Sequence, residues 1–580
     1  MTMRSHVGHL TTSNPSETTL TPYNNEPPRD KPAADMENSA ARMSVGRTVI
    51  VMLSLSLALF LSALDITIIA TALPTIATHF EASSADYTWV GSSYLIAAAA
   101  ATPLWGAFSN IWGRKPLLLL ANIIFIAGSL VAALSHDIRM LIGGRIVQGV
   151  GGGGLLALVN ICVSDLFSLR DRPKYYGIFG MVWAVAGGVG PIIGGAFTEK
   201  LSWRWCFYIN LPLDGVSLIS LTFFLKLDTP RTKIWDGMKA IDWSGVVLII
   251  GAVIMFLLGI ESGGNSHPWT SAYTLCLIIF GVFAFSLFLF NEAKLAKYPT
   301  IPIRLFKIRS NLGAYGVILI HGIVFISASY YLPLYFQTVL GTSSLMSGVY
   351  LLPFVLSLSL ATIICGGLIK KTGRFREPIW LGVALMTLGY GLLINLGSTT
   401  NWPRLIIYQM IVGFGSGLNI QSPLIALQSH TKRHDVAIAT STYGFIRTLA
   451  TGISIVIGGT IAQSELTKKR AMLQERLGPE HTSQVLGAGF GTNVHFIQQL
   501  PSGQREFVNE AYTQSLRTMW IFYTALSAVA IIPSLLIKKA TLSTEHEIVK
   551  TGVEEQERVR QEELREKEEK KAGASRIGIK

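Results

Sequence analysis

The stretch LFLSALDITIIATALPTI, Leu59 to Ile76, sets a single carboxylate, Asp65, inside an otherwise apolar segment. A charged side chain at the bilayer centre costs about 2.5–3.5 kcal/mol on insertion scales. An acid kept there must face a bundle interior or water, and desolvation favours the neutral form of a carboxyl group. A carboxylate that takes and releases a proton as its exposure changes is what proton-coupled transport requires. The competing reading is a structural hydrogen bond to a neighbouring helix.

Composition sets the same frame. The chain has 580 residues, of which 50% are hydrophobic and only 14% charged, where soluble domains carry about 25% charge. This predicts an all-α polytopic membrane protein. The net charge of +13 fits basic cytosolic loops rather than nucleic-acid binding. Cys162, Cys206, Cys276 and Cys365 fall in apolar stretches with no CxxC pair, as packing residues do. No metal cluster and no nucleophile with its base stand out, so the reading excludes an enzyme.

Residues 1–45 are polar and rich in Pro, Ser, Thr and Asn, which predicts a disordered cytosolic tail. Apolar runs of spanning length follow near 48–72, 87–108, 116–135, 140–167, 175–197, 205–226, 242–261, 272–291, 312–337, 345–369, 379–397, 404–428, 436–463 and 516–537. They predict a six-helix bundle over 46–230, two linking helices over 231–295 and a second six-helix bundle over 296–540, with a long outer loop at 464–515. Residues 541–580 form a charged cytosolic tail, read as a solvated helix. Short loops such as GRKP, RDRPK, KKTGRFR and HTKRHD are basic and alternate with nearly uncharged ones, which places the basic loops and both termini in the cytosol. The segment LTKKRAMLQER, basic yet on the outer side of this topology, opens the long loop and is compatible with an amphipathic surface helix. GAFSNIWGRK (Gly106–Lys115) is echoed by GGLIKKTGRF (Gly366–Phe375), with glycines and a Gly-Arg pair at the same spacing. Such repeats mark two-bundle transporters with a substrate site between the halves at midplane.

In GRIVQGVGGGGLL, Arg145 lies a little inside the fourth span, with Gln148 at i+3 on much the same face. Arginine stays charged, so it needs a carboxylate, carbonyls or water. Gly149 and Gly151 to Gly154 permit close helix approach. A phosphate-cradling loop is the poorer reading, since no strand precedes the glycines and no Gly-Lys dipeptide completes a Walker A motif. ATP is therefore not an expected partner. Gly190-Pro191 and Gly194-Gly195 kink and thin the fifth span, as a packing kink or as a hinge. In the second half, Gln148 has cavity-lining counterparts in His321, Tyr330, Tyr331, Asn419, Gln421, Tyr443 and Arg447, each of which also fits an interhelical contact.

Taken in order, these pieces resemble the drug:proton antiporters of the major facilitator superfamily, in the fourteen-helix group common in fungi. LDITIIATALP resembles the first-helix motif and puts the proton-linked acid on Asp65. GAFSNIWGRK resembles the signature loop that gates conformational change, carried here by Gly106, Gly113, Arg114 and Lys115. Asn110 stands where that loop usually has an acid, so Arg114 is left to seek Asp165 or Asp171. RIVQGVGGG resembles the fourth-helix motif with its proton-transfer arginine, Arg145. Gly177, Gly190, Pro191, Gly194 and Gly195 match the antiporter motif of helix 5, although Ala186 replaces one usual glycine. The resemblance spans about residues 45–540 and implies two pseudo-symmetric six-helix bundles plus two central helices. It further implies a monomeric, plasma-membrane pump that exports amphipathic drugs, secondary metabolites or self-made toxins against protons, without cofactors. A vacuolar exchanger of basic amino acids or siderophores is the alternative.

Overall fold

The computed structural model describes residues 44–82, 84–227, 229–263, 267–487, 494–545 and 550–577. The expected N-terminal tail therefore lies, except for its last two residues, outside the described residues. The chain divides into Met1–Thr48 and Val49–Lys580. Of the first unit only the opening of helix α1 is described.

Among the described residues, fourteen long helices precede the C-terminal tail and carry the fold: α1 (Val45–His79), α2 (Ser84–Trp112), α3 (Arg114–Ala133), α4 (Ile138–Leu166), α5 (Arg172–Lys200), α6 (Trp205–Phe224), α7 (Trp243–Ser262), α8 (Ala272–Lys294), α9 (Arg309–Thr338), α10 (Leu345–Thr372), α11 (Arg376–Leu393), α12 (Trp402–His430), α13 (Val436–Lys468) and α14 (Ser502–Val529). Twelve of these, all but α2 and α11, are long and apolar enough to cross a membrane. The two exceptions coincide with expected spans. Helix α2 is diluted by Ser, Thr, Gly and Asn, and α11 is 18 residues long and opens on Arg376-Glu377. Polar residues also start several helices. The side chains of Asp137, Ser271 and Asn401 each accept a backbone N–H of the first turn of α4, α8 and α12.

The two halves repeat one packing scheme. Helix α4 packs chiefly on α2 and α3, and α12 packs in the same way on α10 and α11. Two further extensive contacts cross between the halves, α5 with α10 and α2 with α13. Helices α7 and α8 pair with each other, and α7 leans on α2 and α13. The sequence echo is built into this scheme. Gly113, after α2, and Gly373, after α10, both adopt the left-handed region (φ 88° and 74°), which a Cβ disfavours by about 1–2 kcal/mol. Gly106 lies directly against Ser441 of α13, and Gly366 directly against the Pro173 carbonyl of α5.

The region expected as a long loop, 464–515, is mostly helical among its described residues. Helix α13 runs on to Lys468, two helical pieces within Arg470–Val485 meet at a kink at Gly478 (φ 78°) and bury Leu473, Leu477 and Val485, and α14 begins at Ser502. The charged tail forms helix α15 (Val553–Ile577), as expected, but it is tethered. The Gly552 amide donates to the Asn110 carbonyl at 2.8 Å, and Glu557 accepts from the Tyr298 hydroxyl and pairs with Lys297 at 3.2 Å.

Candidate functional site

The missing side chains of α4 set the site's register. A Cβ at Gly151 would stand 2.6 Å from the Phe125 amide nitrogen of α3, and one at Gly153 would stand 2.7 Å from the Ala98 carbonyl of α2. Only glycine lets α4 enter this groove, and that approach delivers Arg145 and Gln148 to Asp65. Asp65 is fully buried and its Oδ2 pairs with Arg145 Nη1. Its Oδ1 accepts from Gln148 Nε2 at 3.0 Å and from Asn210 Nδ2 at 3.1 Å. Both amides also reach Ser129 Oγ, at 2.8 and 3.3 Å. Arg145 donates further to the Val90 carbonyl (3.1 Å) and to Gln148 Oε1 (3.0 Å), and its guanidinium lies 4.6 Å from the Tyr94 ring centroid. The Tyr94 hydroxyl meets Ser62 Oγ at 2.9 Å. Five helices thus enclose one ion pair whose polar atoms are largely satisfied, as a buried pair requires.

The loop between α2 and α3 is held by Arg114. Arg114 Nε pairs with Asp165 at 2.8 Å, and its Nη1 donates to the Ser109 carbonyl and to Asn110 Oδ1, both at 2.6 Å. Asp171 is occupied elsewhere, with Lys370 and Ser168 each at 2.8 Å. Desolvation would raise its carboxyl, but the bonds from Lys370 and Ser168 outweigh this and hold it below the usual carboxylate range. Lys115 donates to the Thr222 carbonyl at the end of α6 at 2.6 Å. Arg170 donates to the carbonyls of Lys370 and Lys371 (2.6 and 2.7 Å), and Arg172 to Gln428 (3.1 Å). The halves are tied together at their basic ends.

The helix-5 motif serves two partners. A Cβ at Gly177 would reach Ile363 and Thr362 of α10 at 3.4 Å, whereas Gly190 and Gly194 lie directly against Thr67, Ile68 and Thr71 of α1. Pro191 faces Gly348 of α10, while a Cβ at Gly195 would meet open space. Thr67 donates to the Ala186 carbonyl at 2.9 Å.

The second-half candidates are dispersed. His321 is fully buried, donates from Nε2 to the Ser416 carbonyl at 3.0 Å and stacks on Phe325. Asn419 is buried against Gly382 of α11. Tyr331 and Tyr443 give their hydroxyls to the carbonyls of Ile455 and Ile420. Tyr330 is 50% exposed. Gln421, on α12, lines a small cleft among α5, α10 and α12 with Pro173, Thr362, Cys365 and Gly366. Arg447 has no carboxylate partner among the described residues, and its guanidinium lies 5.8 Å from the Trp183 ring of α5, across the two halves.

The Major Facilitator Superfamily profile matches this chain over residues 55–240 and 238–455. The chain belongs to the major facilitator superfamily. It is 50% identical over 509 residues to "Efflux pump dotC" of Dothistroma septosporum, covering 88% of this chain and 87% of that one. It is 45% identical over 538 residues to "MFS-type transporter ppz2" of Metarhizium majus, covering 93% of each. Among solved structures, the proton:xylose symporter XylE shares the fold, with TM-score 0.53 at 14% identity over 86% of this chain and 98% of that one. As a superfamily member, the protein is a multi-pass membrane carrier of small molecules rather than an enzyme.

Within this superfamily fold, sequence reasoning missed Asn210, Ser129, Tyr94 and, above all, Asp214. The last was detectable. It is an acid inside an apolar span, found by the same logic as Asp65, and it lies four residues from Asn210 on the same helix face.

Proposed function

We propose that the protein exports amphipathic small molecules across the plasma membrane in exchange for protons, by alternating access between its two halves. The observation that carries this reading is the buried ion pair of Asp65 and Arg145, closed over by Gln148 and Asn210. The export direction is supported by the efflux pump named among the relatives. Proton drive is sufficient. One inward proton across about 100 mV gains about 2.3 kcal/mol, and one pH unit adds about 1.4 kcal/mol. Together they sustain a gradient of roughly a few hundred-fold for a neutral solute. Cargo class is expected to follow from the interface between the halves, where Trp183, Arg447 and Tyr443 combine aromatic faces with a cation that has no carboxylate partner among the described residues.

The test is cellular accumulation of a panel of antifungals, lipophilic ions and fungal metabolites in a pump-deficient yeast. Wild type, Asp65→Asn and empty vector are compared, with membrane expression verified. Lower accumulation with wild type alone supports proton-coupled export. Full efflux by Asp65→Asn overturns the role of Asp65.

A further inference from the structure

The last part of the chain crosses the basic ends of both halves. After α14, the Lys538 amide donates to Ser310 Oγ at 3.2 Å, at the start of α9 in the second half. Ile537 and Leu542 are buried in one apolar core. The Ser543 carbonyl then accepts the Arg170 amide at 3.1 Å, in the α4–α5 loop of the first half. Gly552 meets the first half again, donating to the Asn110 carbonyl at the end of α2 at 2.8 Å. A Cβ at Gly552 would lie 2.9 Å from Pro230, in the link between α6 and α7, and its φ is 120°. Glu557 turns the other way, to Tyr298 and Lys297 of the link between α8 and α9. That link is fastened to the second half by Arg304, which donates to both oxygens of Asp435 at 3.0 and 2.8 Å, just before α13. Between these anchors lies a cavity of about 110 Å³. Asn110 and Arg114 line it from the first half, Arg304 and Asp435 from the second, and Gly552 and Gln556 from the tail.

These contacts are short and the element that carries the last two is stiff. Gly552 and Glu557 are five residues apart at the head of α15, about 7.5 Å along a helix. Asn110 belongs to the first half, and Tyr298 is held to the second through Arg304. Hydrogen bonds tolerate stretching by only a few tenths of an ångström. If the basic ends part by more than that, α15 cannot keep both anchors. The earlier crossing obeys the same rule, because Ser310 and Arg170 lie in opposite halves. Direct ties between the halves exist as well, from Arg170 to the Lys370 and Lys371 carbonyls and from Arg172 to Gln428. Helix α15 differs from them in lying outside the spans, so its detachment leaves their own contacts in place.

We propose that the C-terminal tail is an autoinhibitory strap: docked, it holds the basic ends of the two halves together, and released, it lets the carrier open there. This rests on the alternating access proposed above. A segment that binds only one conformation shifts the population towards it. Docking of α15 therefore favours the state closed at the basic end and slows the opening through which cargo is loaded from that side. Whatever draws α15 off its anchors speeds that step without touching Asp65 or Arg145.

Maleimide labelling of Cys365, read by mass spectrometry on the purified full-length protein in lipid, tests this without any cargo. Cys365 is buried beside Pro173, where α5 and α10 meet at the basic end. Two independent variants break the strap. Gly552→Val sets a branched side chain against Pro230 at a φ that such residues avoid. Glu557→Lys sets a second cation against Lys297. Each is expected to speed labelling about fivefold, the weight of a single net hydrogen bond. The control is Glu554→Lys, the same charge change at an exposed position of α15, which is expected to label at the wild-type rate. Thermal unfolding verifies that each variant is folded. Unchanged labelling in both strap variants overturns the proposal. Equal acceleration by Glu554→Lys assigns the effect to charge alone and overturns it too. Failure of wild type to lower cellular accumulation would instead sink the transport reading, an outcome the labelling does not touch.

Discussion

Asp65 and Arg145 illustrate why a buried pair is dangerous to halve. Removing one partner of such a pair typically costs about 3–5 kcal/mol, because the other charge is left uncompensated. Arg145 retains Gln148 and the Val90 carbonyl when Asp65 is neutralised, so Asp65→Asn leaves a tolerable cation. Arg145→Ala leaves Asp65 only Gln148 and Asn210. We expect Arg145→Ala to unfold at a lower temperature than Asp65→Asn, and the double variant Asp65→Asn/Arg145→Ala to recover part of that loss. Thermal unfolding of detergent-purified protein measures the order; equal additive losses would show that the pair does not couple. Both residues were legible in the sequence because a charge in an apolar run demands an explanation. Asn210, Ser129 and Tyr94 were not, since neutral polar residues are common in helices and only tertiary approach reveals their partners.

At the level of elements, helices α1 to α13 follow the apolar runs closely, because spanning length is a one-dimensional property, whereas α14 begins at Ser502, well before the run expected from residue 516. The failures lie where structure depends on a partner. The amphipathic helix that the sequence allows after Leu466 does form, but its weak apolar stripe, Leu473 and Leu477, packs into a core cluster rather than lying on a membrane surface. Helix α15 looked fully solvated because its anchors are a main-chain amide at Gly552 and one carboxylate, Glu557. The Tyr298 hydroxyl bond, followed by Gln561 and Lys297, depresses the Glu557 carboxyl from its ordinary value to about 2. A depressed acid contributes its contact above its unfolded value of about 4.5 and loses it only as pH falls towards about 2. Tethering of α15 is therefore expected to be insensitive to pH between about 5 and 8. Limited proteolysis of the tail across that range checks this, and Glu557→Gln should speed cleavage at every pH. Cleavage of wild type that accelerates on mild acidification would refute it. The tether's contact with Asn110 also bears on the signature loop, whose missing acid is offset by Asp165 on one side and by a backbone bond from the tail on the other.

For the whole molecule, the short echo between Gly106–Lys115 and Gly366–Phe375 proves to be the trace of the architecture. It recurs because α2 and α10 occupy matching places, each capped by a left-handed glycine and each pressed against the opposite half. Only glycines and a Gly-Arg pair persist in the echo, since backbone conformation and close approach constrain residue type far more tightly than a lipid-facing or cavity-facing position does. The same geometry makes Gly106 and Gly366 a pair of doorstops waiting for a methyl group. A single added carbon at either position would wedge the basic ends apart, even though the two sites share no neighbours and lie 260 residues from each other in the chain. Gly106→Ala and Gly366→Ala should then give one phenotype, a carrier propped open towards its basic side. The buried Cys365, which lines the cleft beside Pro173, would report it through faster maleimide labelling in a Cys276→Ser background, and unchanged labelling in both would show that closure tolerates the methyl. Pseudo-symmetry would thereby become a mutational identity: two distant substitutions, indistinguishable in effect because the fold counts them as the same residue.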